Sequence, residues 1–265
     1  MRKSLLDIHG MHQKGEKIAM LTCYDASFAG VLESGGVDVL LVGDTLGMVI
    51  QGHDTPLPVR LEHVAYHVSC VARGSRTAFL MADMPFGTSQ RSPEDTFANA
   101  AELMRAGAQM VKIEGGADMA PTIEFLVSRG IPVCAHIGLT PQSVHQVGGF
   151  KVQGRDESAA RRILHDARTV EQAGANWLLL EAIPRALADQ VCDSVDLPTI
   201  GIGASPRCSG QVLVIYDMLG LGSYAPPRFV RLFLRETDSI EAAVRLYVSE
   251  VKAGHFPDSQ HCYSS

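Results

Sequence analysis

The sequence predicts a single (βα)8 TIM barrel, and three observations support this fold class. The chain has 265 residues, a length that suits one such barrel. Four short apolar runs each end in an acidic residue and recur about one βα unit apart, at 39–44, 78–83, 110–114 and 177–181. A glycine that can end a helix repeatedly precedes a strand, as at 34–38, 105–109, 128–132 and 172–176. A doubly wound open sheet is the alternative, because it also alternates strands with helices.

Eight strands are predicted from short apolar runs, which are typical of parallel strands buried on both faces. They lie at 17–23, 38–43, 77–83, 109–114, 132–137, 176–181, 198–203 and 211–216. The last segment is also compatible with a helix. If the strands are parallel, their carboxyl ends meet at one mouth of the barrel, where the sites of this fold are built.

Helices are predicted between the strands. Apolar spacing indicates a helix over 61–73, and Ser92 followed by Pro93 indicates an N-cap and a first helical turn. Further helices are expected at 1–16, 25–34, 119–129, 157–173, 184–191 and 236–253, with long loops at 44–58 and 138–155. No linker interrupts this series. We therefore expect one barrel domain over 1–255 with a short N-terminal helix, followed by a loose polar tail at 256–265.

The composition excludes several classes of protein. The net charge is −6 and no long basic run is present, so nucleic-acid binding is not expected. Six scattered cysteines form no C-x-x-C pair, which fits a reducing cytoplasm. The first ten residues lack the apolar stretch of a signal peptide, and no apolar run of ~18 residues predicts a membrane span.

Three carboxylates end neighbouring predicted strands: Asp44, Asp83 and Glu114. Adjacent strands lie ~5 Å apart, so these groups can share one hard cation that prefers oxygen ligands. Mg²⁺ is the natural candidate, because no His/Cys cluster favours zinc. Alternatively, each acid caps the helix that follows it or forms an ion pair with a nearby arginine.

Three further residues of the predicted strands are candidates for chemistry. Lys112 is costly to bury without a task, so it neutralises a substrate anion, forms a Schiff base, or pairs with a carboxylate. Glu181, at an apolar mouth, suits general-base work or caps a helix. His136 donates to a substrate oxygen, or is only a satisfied core residue.

Several sequence blocks in a fixed order give this chain a family resemblance. The blocks are LVGDTLGM (41–48), GHDT (52–55), ADMPFG (82–87), VKIEGG (111–116), HIGLTPQSV (136–144), GGFKVQGR (148–155) and PTIGIGA (198–204). With these blocks the chain resembles the 3-methyl-2-oxobutanoate (ketopantoate) hydroxymethyltransferase family from about residue 3 to about residue 235, and the resemblance implies a barrel of the phosphoenolpyruvate mutase/isocitrate lyase type.

The resemblance also implies an activity. Members transfer a one-carbon unit from 5,10-methylenetetrahydrofolate to 3-methyl-2-oxobutanoate through a magnesium-stabilised enolate, giving 2-dehydropantoate for pantothenate biosynthesis, and are typically decameric. By this resemblance Glu181 is the base and Lys112 stabilises negative charge. The implied magnesium shell is Asp44, Asp83 and Glu114. The implied keto-acid site is Asp44, Thr45, Asp83, Lys112 and His136.

The chain departs from the family pattern at three positions. Thr45 stands where the family usually has serine, and keeps the hydroxyl. Ser205 stands for a glycine and would be strained if that position needs a positive φ. Ser209 stands for an aspartate and removes a charge. We expect both of these serines to alter the rim of the site and its folate side.

Three other functions stay open from the sequence. One is a related carbon–carbon lyase or mutase that acts on another 2-oxo acid, suggested by the altered 205–209 segment. The second is an aldolase in which Lys112 forms a Schiff base. The third is a non-catalytic binding or assembly protein that kept the fold, against which the intact set of acids speaks.

Overall fold

Eight parallel strands close into a barrel in the computed structural model, which describes residues 2–222 and 225–264. The predicted (βα)8 barrel is confirmed, and the open sheet is wrong because β8 pairs with β1. The strands are β1 (Ile18–Thr22), β2 (Val39–Val42), β3 (Phe79–Asp83), β4 (Met110–Glu114), β5 (Val133–Gly138), β6 (Trp177–Glu181), β7 (Thr199–Ile202) and β8 (Gly210–Leu213).

Helices follow the strands on the outside of the barrel. They are α1 (Leu5–Gln13), α2 (Ala26–Ser34), α3 (Leu46–Val49), α4 (Leu61–Gly74), α5 (Pro93–Ala106), α6 (Ala120–Val127), α7 (Val144–Val147), α8 (Glu157–Gln172), α9 (Arg185–Ser194), α10 (Ile215–Leu219) and α11 (Ile240–Lys252). Three 3-10 turns span Ala117–Met119, Pro141–Ser143 and Phe233–Glu236. In the described part of the chain, none of these helices is both long and apolar enough to cross a membrane.

The predicted elements are corrected in three places. Strand 211–216 ends early, because the Ile215 N–H bonds the Thr22 hydroxyl at 3.0 Å and the chain then turns into α10. The predicted loop 44–58 contains α3, and the predicted loop 138–155 contains a 3-10 turn and α7. These helices are of four residues or fewer, too short for an apolar period to reveal them.

The strands form the core because both of their faces are covered. Every residue of β1, β2, β3 and β4 is buried, as parallel strands between a barrel interior and a helical layer require. Phe79 and Trp177 stack inside with ring centroids 5.2 Å apart. The Tyr247 hydroxyl of α11 contacts the carbonyls of Met20 (2.9 Å) and Gln211 (2.8 Å), which ties this helix to both strands of the β1–β8 seam.

The C-terminal tail is packed. Phe256 and Cys262 are each 3% exposed, the Arg185 N–H donates to the Tyr263 carbonyl at 2.9 Å, and Tyr263 bridges to Pro184. The expectation of a loose tail is therefore wrong for the residues that the structure describes, because apolar side chains and a backbone pairing hold it. The boundary at residue 255 stays a prediction.

The two unusual serines lie away from the expected rim. Ser209 contacts Thr199 at the start of β7, and its carbonyl accepts from the Ile18 N–H at the start of β1. This is the N-terminal end of the barrel, opposite the strand-end acids. Ser205 does not have a positive φ, so the predicted strain is absent, and its hydroxyl bonds Asp189 of α9. The expectation that both serines alter the rim is wrong.

Candidate active site

The strand register brings the predicted site residues to one end of the barrel. Asp83 lies level with Lys112, Glu114 with His136, and Gly138 with Glu181 on neighbouring strands. A cavity of about 760 Å³ opens there. All seven predicted site residues line it: Asp44, Thr45, Asp83, Lys112, Glu114, His136 and Glu181. The sequence therefore predicted which residues share this mouth.

Lys112 is the central cation of the site. Its side chain is 5% exposed, and its Nζ lies 3.1 Å from Asp83 Oδ1 and 3.1 Å from His136 Nδ1. Burial disfavours the ammonium, but Asp83, Glu114 and Asp44 outweigh it and raise the pKa of Lys112 above its usual value. In its protonated form the amine has no lone pair with which to attack a carbonyl carbon. The geometry thus favours charge stabilisation over a Schiff base.

The surroundings of Asp44 disfavour its ionised form in the absence of a metal ion. Burial, then the Asp83 and Glu114 carboxylates, raise the pKa of Asp44 well above its usual value. The Asp83 carboxylate is already engaged, because Oδ2 accepts the Asp44 N–H at 2.9 Å and Oδ1 faces Lys112. A buried carboxylate under repulsion from two others is the electrostatic setting in which a divalent cation is favourable.

The donor set therefore fits a divalent cation in charge and chemistry. Glu114 Oε1 is buried without a hydrogen-bond donor, and all three carboxylates supply the oxygen ligands that Mg²⁺ prefers. As it stands, no group of three or more His, Cys, Asp and Glu side chains within residues 2–222 and 225–264 is arranged to hold a metal ion. The ligand set of Asp44, Asp83 and Glu114 stays a prediction.

His136 connects two carboxylates. The ring is 2% exposed, with Nε2 3.2 Å from Glu181 Oε2 and Nδ1 3.6 Å from Glu114 Oε1. Burial and Lys112 disfavour the imidazolium, but Glu114 and Glu181 outweigh them and raise the pKa of His136. The Glu114 carboxyl has a lowered pKa, because His136 and Lys112 outweigh its burial. His136 is therefore part of the charged network rather than a simple core residue.

Glu181 is the most exposed of the four strand-end acids that line the cavity. Its side chain is 16% exposed, compared with 3% for Glu114. The backbone around Glu181 is tightly packed. The Leu139 N–H donates to the Glu181 carbonyl at 2.9 Å. Gly138 has φ +94°, and a side chain at this position would place its Cβ 2.3 Å from the same carbonyl oxygen. Ala182 adopts φ +46°, a strained conformation for a residue with a side chain.

The helix-capping alternatives are wrong for the candidate acids. The N-cap of α3 is Thr45 and that of α9 is Pro184, so neither Asp44 nor Glu181 caps the following helix. Gly116 precedes the 3-10 turn after β4, so Glu114 does not cap it. The ion-pair alternative holds for Lys112 with Asp83, alongside its contact with His136.

The sequence analysis missed two features of this site. Gln142 contacts both Asp44 and Glu114, yet a neutral amide in a long loop carries no acid–base or ligand signal. Aromatic side chains from four separate segments line the outer cavity, and only the folded chain brings them together: Phe150, Tyr216, Phe229 and Tyr263.

A closed parallel barrel with ionisable groups at its carboxyl mouth defines a (βα)8-barrel enzyme. Solved structures share this fold. 2,3-dimethylmalate lyase, a PEP mutase/isocitrate lyase superfamily member, matches with a TM-score of 0.62 and 18% identity, over 83% of this chain and 81% of that one. Phosphonopyruvate hydrolase in complex with oxalate and Mg²⁺ matches with a TM-score of 0.62 and 11% identity, over 94% and 96%. At these identities the likeness concerns the fold alone.

One family is similar to this chain in sequence as well. A profile of the ketopantoate hydroxymethyltransferase family matches residues 2–259. The 3-methyl-2-oxobutanoate hydroxymethyltransferase of Nitrosospira multiformis is 62% identical over 253 residues, which cover 96% of this chain and 96% of that protein. The chain belongs to the ketopantoate hydroxymethyltransferase family, and it is a transferase enzyme.

Proposed function

We propose that this enzyme transfers a one-carbon unit from 5,10-methylenetetrahydrofolate to 3-methyl-2-oxobutanoate, with water, giving 2-dehydropantoate and tetrahydrofolate for pantothenate biosynthesis. The observation that carries the proposal is one cavity in which a partly exposed carboxylate, Glu181, lies beside a buried cation, Lys112, and an under-compensated Asp44. Proton removal from carbon next to a carbonyl needs a base and a means to stabilise the negative charge that develops.

Each residue has a role in this reaction. Glu181 takes the C3 proton of the keto acid, since its side chain is more exposed than those of the other strand-end carboxylates that line the cavity. His136, 3.2 Å from the Glu181 carboxylate, orients this base. Lys112 stabilises the negative charge that develops on the substrate oxygen. Thr45 lines the same cavity and offers a hydroxyl to the keto acid.

The three strand-end carboxylates Asp44, Asp83 and Glu114 would hold Mg²⁺. When bound, the ion supplies Lewis-acid polarisation of the keto-acid carbonyl, which makes the C3 proton more acidic. Phosphonopyruvate hydrolase, which shares the fold, has been solved with oxalate and Mg²⁺. The excess of buried carboxylates over cations here supports the same metal.

The cavity is large enough for two substrates. A small keto acid fills only part of about 760 Å³, and the lining of the cavity includes Phe150, Tyr216, Phe229 and Tyr263. Aromatic walls pack well against a flat heteroaromatic ring such as that of a pterin. This supports methylenetetrahydrofolate as the one-carbon donor.

The test is an assay of 2-dehydropantoate formation from purified enzyme. We expect turnover that needs both substrates and Mg²⁺, is lost after EDTA treatment and returns when Mg²⁺ is added back. Full turnover by metal-free enzyme would contradict the magnesium site. Conversion of the keto acid without the folate would contradict one-carbon transfer and support a lyase or mutase instead.

The alternatives lose part of their motivation in the structure. The 205–209 segment suggested a lyase or mutase, but Ser209 lies at the N-terminal end of the barrel, away from the cavity. A Lys112 Schiff base is disfavoured by the three carboxylates that keep this lysine charged. Borohydride trapping with substrate leaves Lys112 unmodified if the proposed roles hold.

The assembly and location complete the proposal. The family resemblance supports a homodecamer, which light scattering of the purified enzyme tests. All six cysteines are free thiols, which supports the predicted cytoplasmic location.

A further inference from the structure

Gln142 contacts two of the candidate magnesium ligands, and none of the roles described above accounts for these contacts. Its Nε2 donates to Asp44 Oδ2 at 2.8 Å and to the Met84 carbonyl at 2.9 Å. Its own backbone N–H donates to Glu114 Oε2 at 2.9 Å. The residue is 5% exposed. One glutamine, from the loop after β5, therefore anchors two of the three carboxylates and contacts the loops that follow β2 and β3 and the last residue of β4.

The orientation of this amide is fixed by a second glutamine. Gln142 Oε1 accepts from Gln90 Nε2 at 3.0 Å. Gln90 Oε1 in turn accepts the N–H groups of Gly87 (2.8 Å) and Ser89 (3.3 Å). Each amide oxygen faces donors and each amide nitrogen faces an acceptor, so neither side chain can flip without losing these bonds. Such a chain of dipoles strengthens its last bond, which is the one to Asp44.

A neutral donor suits this position physically. Asp44 is repelled by Asp83 and Glu114, so without an anchor its carboxylate would turn away from them. A lysine or arginine would hold it too, but would neutralise the charge that attracts a metal ion. An amide fixes the direction of the carboxylate and leaves its charge available.

We propose that Gln142 is a positioning residue that holds the Asp44 carboxylate in the orientation required to bind magnesium. This inference rests on the proposed function, because it concerns the same magnesium site. The backbone N–H that holds Glu114 survives any side-chain substitution, so a Gln142 variant separates the anchoring of Asp44 from that of Glu114.

The test compares Q142L with wild type and with Q153L. Gln153 lies in the same predicted loop, and its Nε2 donates to the nearby Lys151 carbonyl at 2.9 Å, away from the candidate ligands, so Q153L is a matched glutamine-to-leucine control. Mg²⁺ binding is measured by calorimetry without substrate, and the rate is measured as a function of Mg²⁺ concentration. We expect Q142L to bind Mg²⁺ about 10–100-fold more weakly, with Q153L unchanged.

A positioning role and a purely structural role give different results. If Gln142 only orients Asp44, excess Mg²⁺ restores much of the kcat of Q142L, whereas a damaged fold is not rescued. Gln90 is exposed, and Q90L leaves Gln142 in place but removes the hydrogen bond to its side-chain oxygen. We expect Q90L to weaken Mg²⁺ binding as well, by a smaller factor than Q142L does. This variant keeps the test valid if Q142L does not fold.

The outcomes separate the two proposals. Wild type that binds no Mg²⁺ and needs none for turnover overturns the proposed magnesium site itself. Wild type that needs Mg²⁺, with folded Q142L and Q90L binding it within about twofold of wild type, overturns only the role of Gln142. The role of Gln142 is also overturned if Q142L loses Mg²⁺ binding, excess Mg²⁺ does not restore its kcat, and Q90L binds Mg²⁺ as wild type does.

Discussion

Replacing Lys112 with methionine tests the electrostatics of the site directly. The substitution keeps most of the side-chain volume but removes the cation that lies 3.1 Å from Asp83 Oδ1. Asp44, Asp83 and Glu114 are 3%, 2% and 7% exposed, so they would be left buried together without it. Removing one partner of a buried ion pair costs about 3–5 kcal/mol. At about 2–4 °C per kcal/mol, the melting temperature of the metal-free protein should fall by roughly 10 °C.

The pH dependence of this loss has a definite sign. The raised pKa of Asp44 means that the folded state takes up a proton at higher pH than the unfolded chain does. Because ionisation of such a carboxyl group is less favourable in the folded state, the free energy of unfolding decreases as the pH rises and recovers as the pH falls. Without Lys112 the pKa of Asp44 rises further, so the deficit of K112M should grow as the pH rises and shrink as the pH falls.

The assay is thermal unfolding of EDTA-treated protein, followed by circular dichroism, with and without added Mg²⁺. K14M is the control, because Lys14 is an exposed lysine at the end of α1. Mg²⁺ should recover part of the K112M loss, since ligand binding to the folded state raises its stability. A K112M protein that melts within a few degrees of wild type at neutral pH, without metal, would refute the charge argument.

Three further predictions concern other residues. E181Q should lose about 10²–10⁴-fold in kcat while Mg²⁺ binding is kept, measured in the 2-dehydropantoate assay; undiminished turnover contradicts its role as base. The Glu33 pKa is lowered to about 2, because bonds from Ser75 and the N–H groups of 76–78 outweigh its burial. The Glu33 carboxylate therefore stabilises the fold fully above the unfolded pKa of 4.5, and this stabilisation is lost as the pH falls through about 2. After allowance for solvent screening, E33A should lower the free energy of unfolding by about 1–2 kcal/mol at neutral pH. The difference from wild type should disappear near pH 2, as measured by urea titration. Y247F should cost about 1–2 kcal/mol in the same titrations, since two strand carbonyls lose a buried partner.

The strand pattern of the sequence predicted the position of several residues of the cavity. Asp83, Glu114 and Glu181 each end an apolar run, and β-strand geometry alone places such ends at one mouth once the strands are parallel. For the same reason Lys112, two residues before Glu114, was expected on the same face. What the pattern left open was whether each acid caps a helix or faces the cavity, because both readings use the same local sequence.

The misplaced serines show where sequence reasoning fails. Ser209 lies between the predicted strands 198–203 and 211–216, and its departure from the family pattern was interpreted as a change at the carboxyl mouth. It directly precedes β8, so the chain has already returned to the other end of the barrel by that residue, as its contact with Thr199 shows. A residue just before a parallel strand lies at the N-terminal end of the barrel, so the predicted elements already contradicted that interpretation.

The sequence by itself predicted eight strands alternating with helices and the acidic residues at the strand ends, because hydrophobic periodicity and helix-ending glycines are local properties of the chain. Closure into a barrel was decided by the pairing of β8 with β1. Only the tertiary structure decided the pairing of Lys112 with Asp83, the contact of His136 with Glu181 and the anchoring of Asp44 by Gln142. These contacts join residues far apart in the chain, and their geometry depends on side-chain packing across the closed barrel.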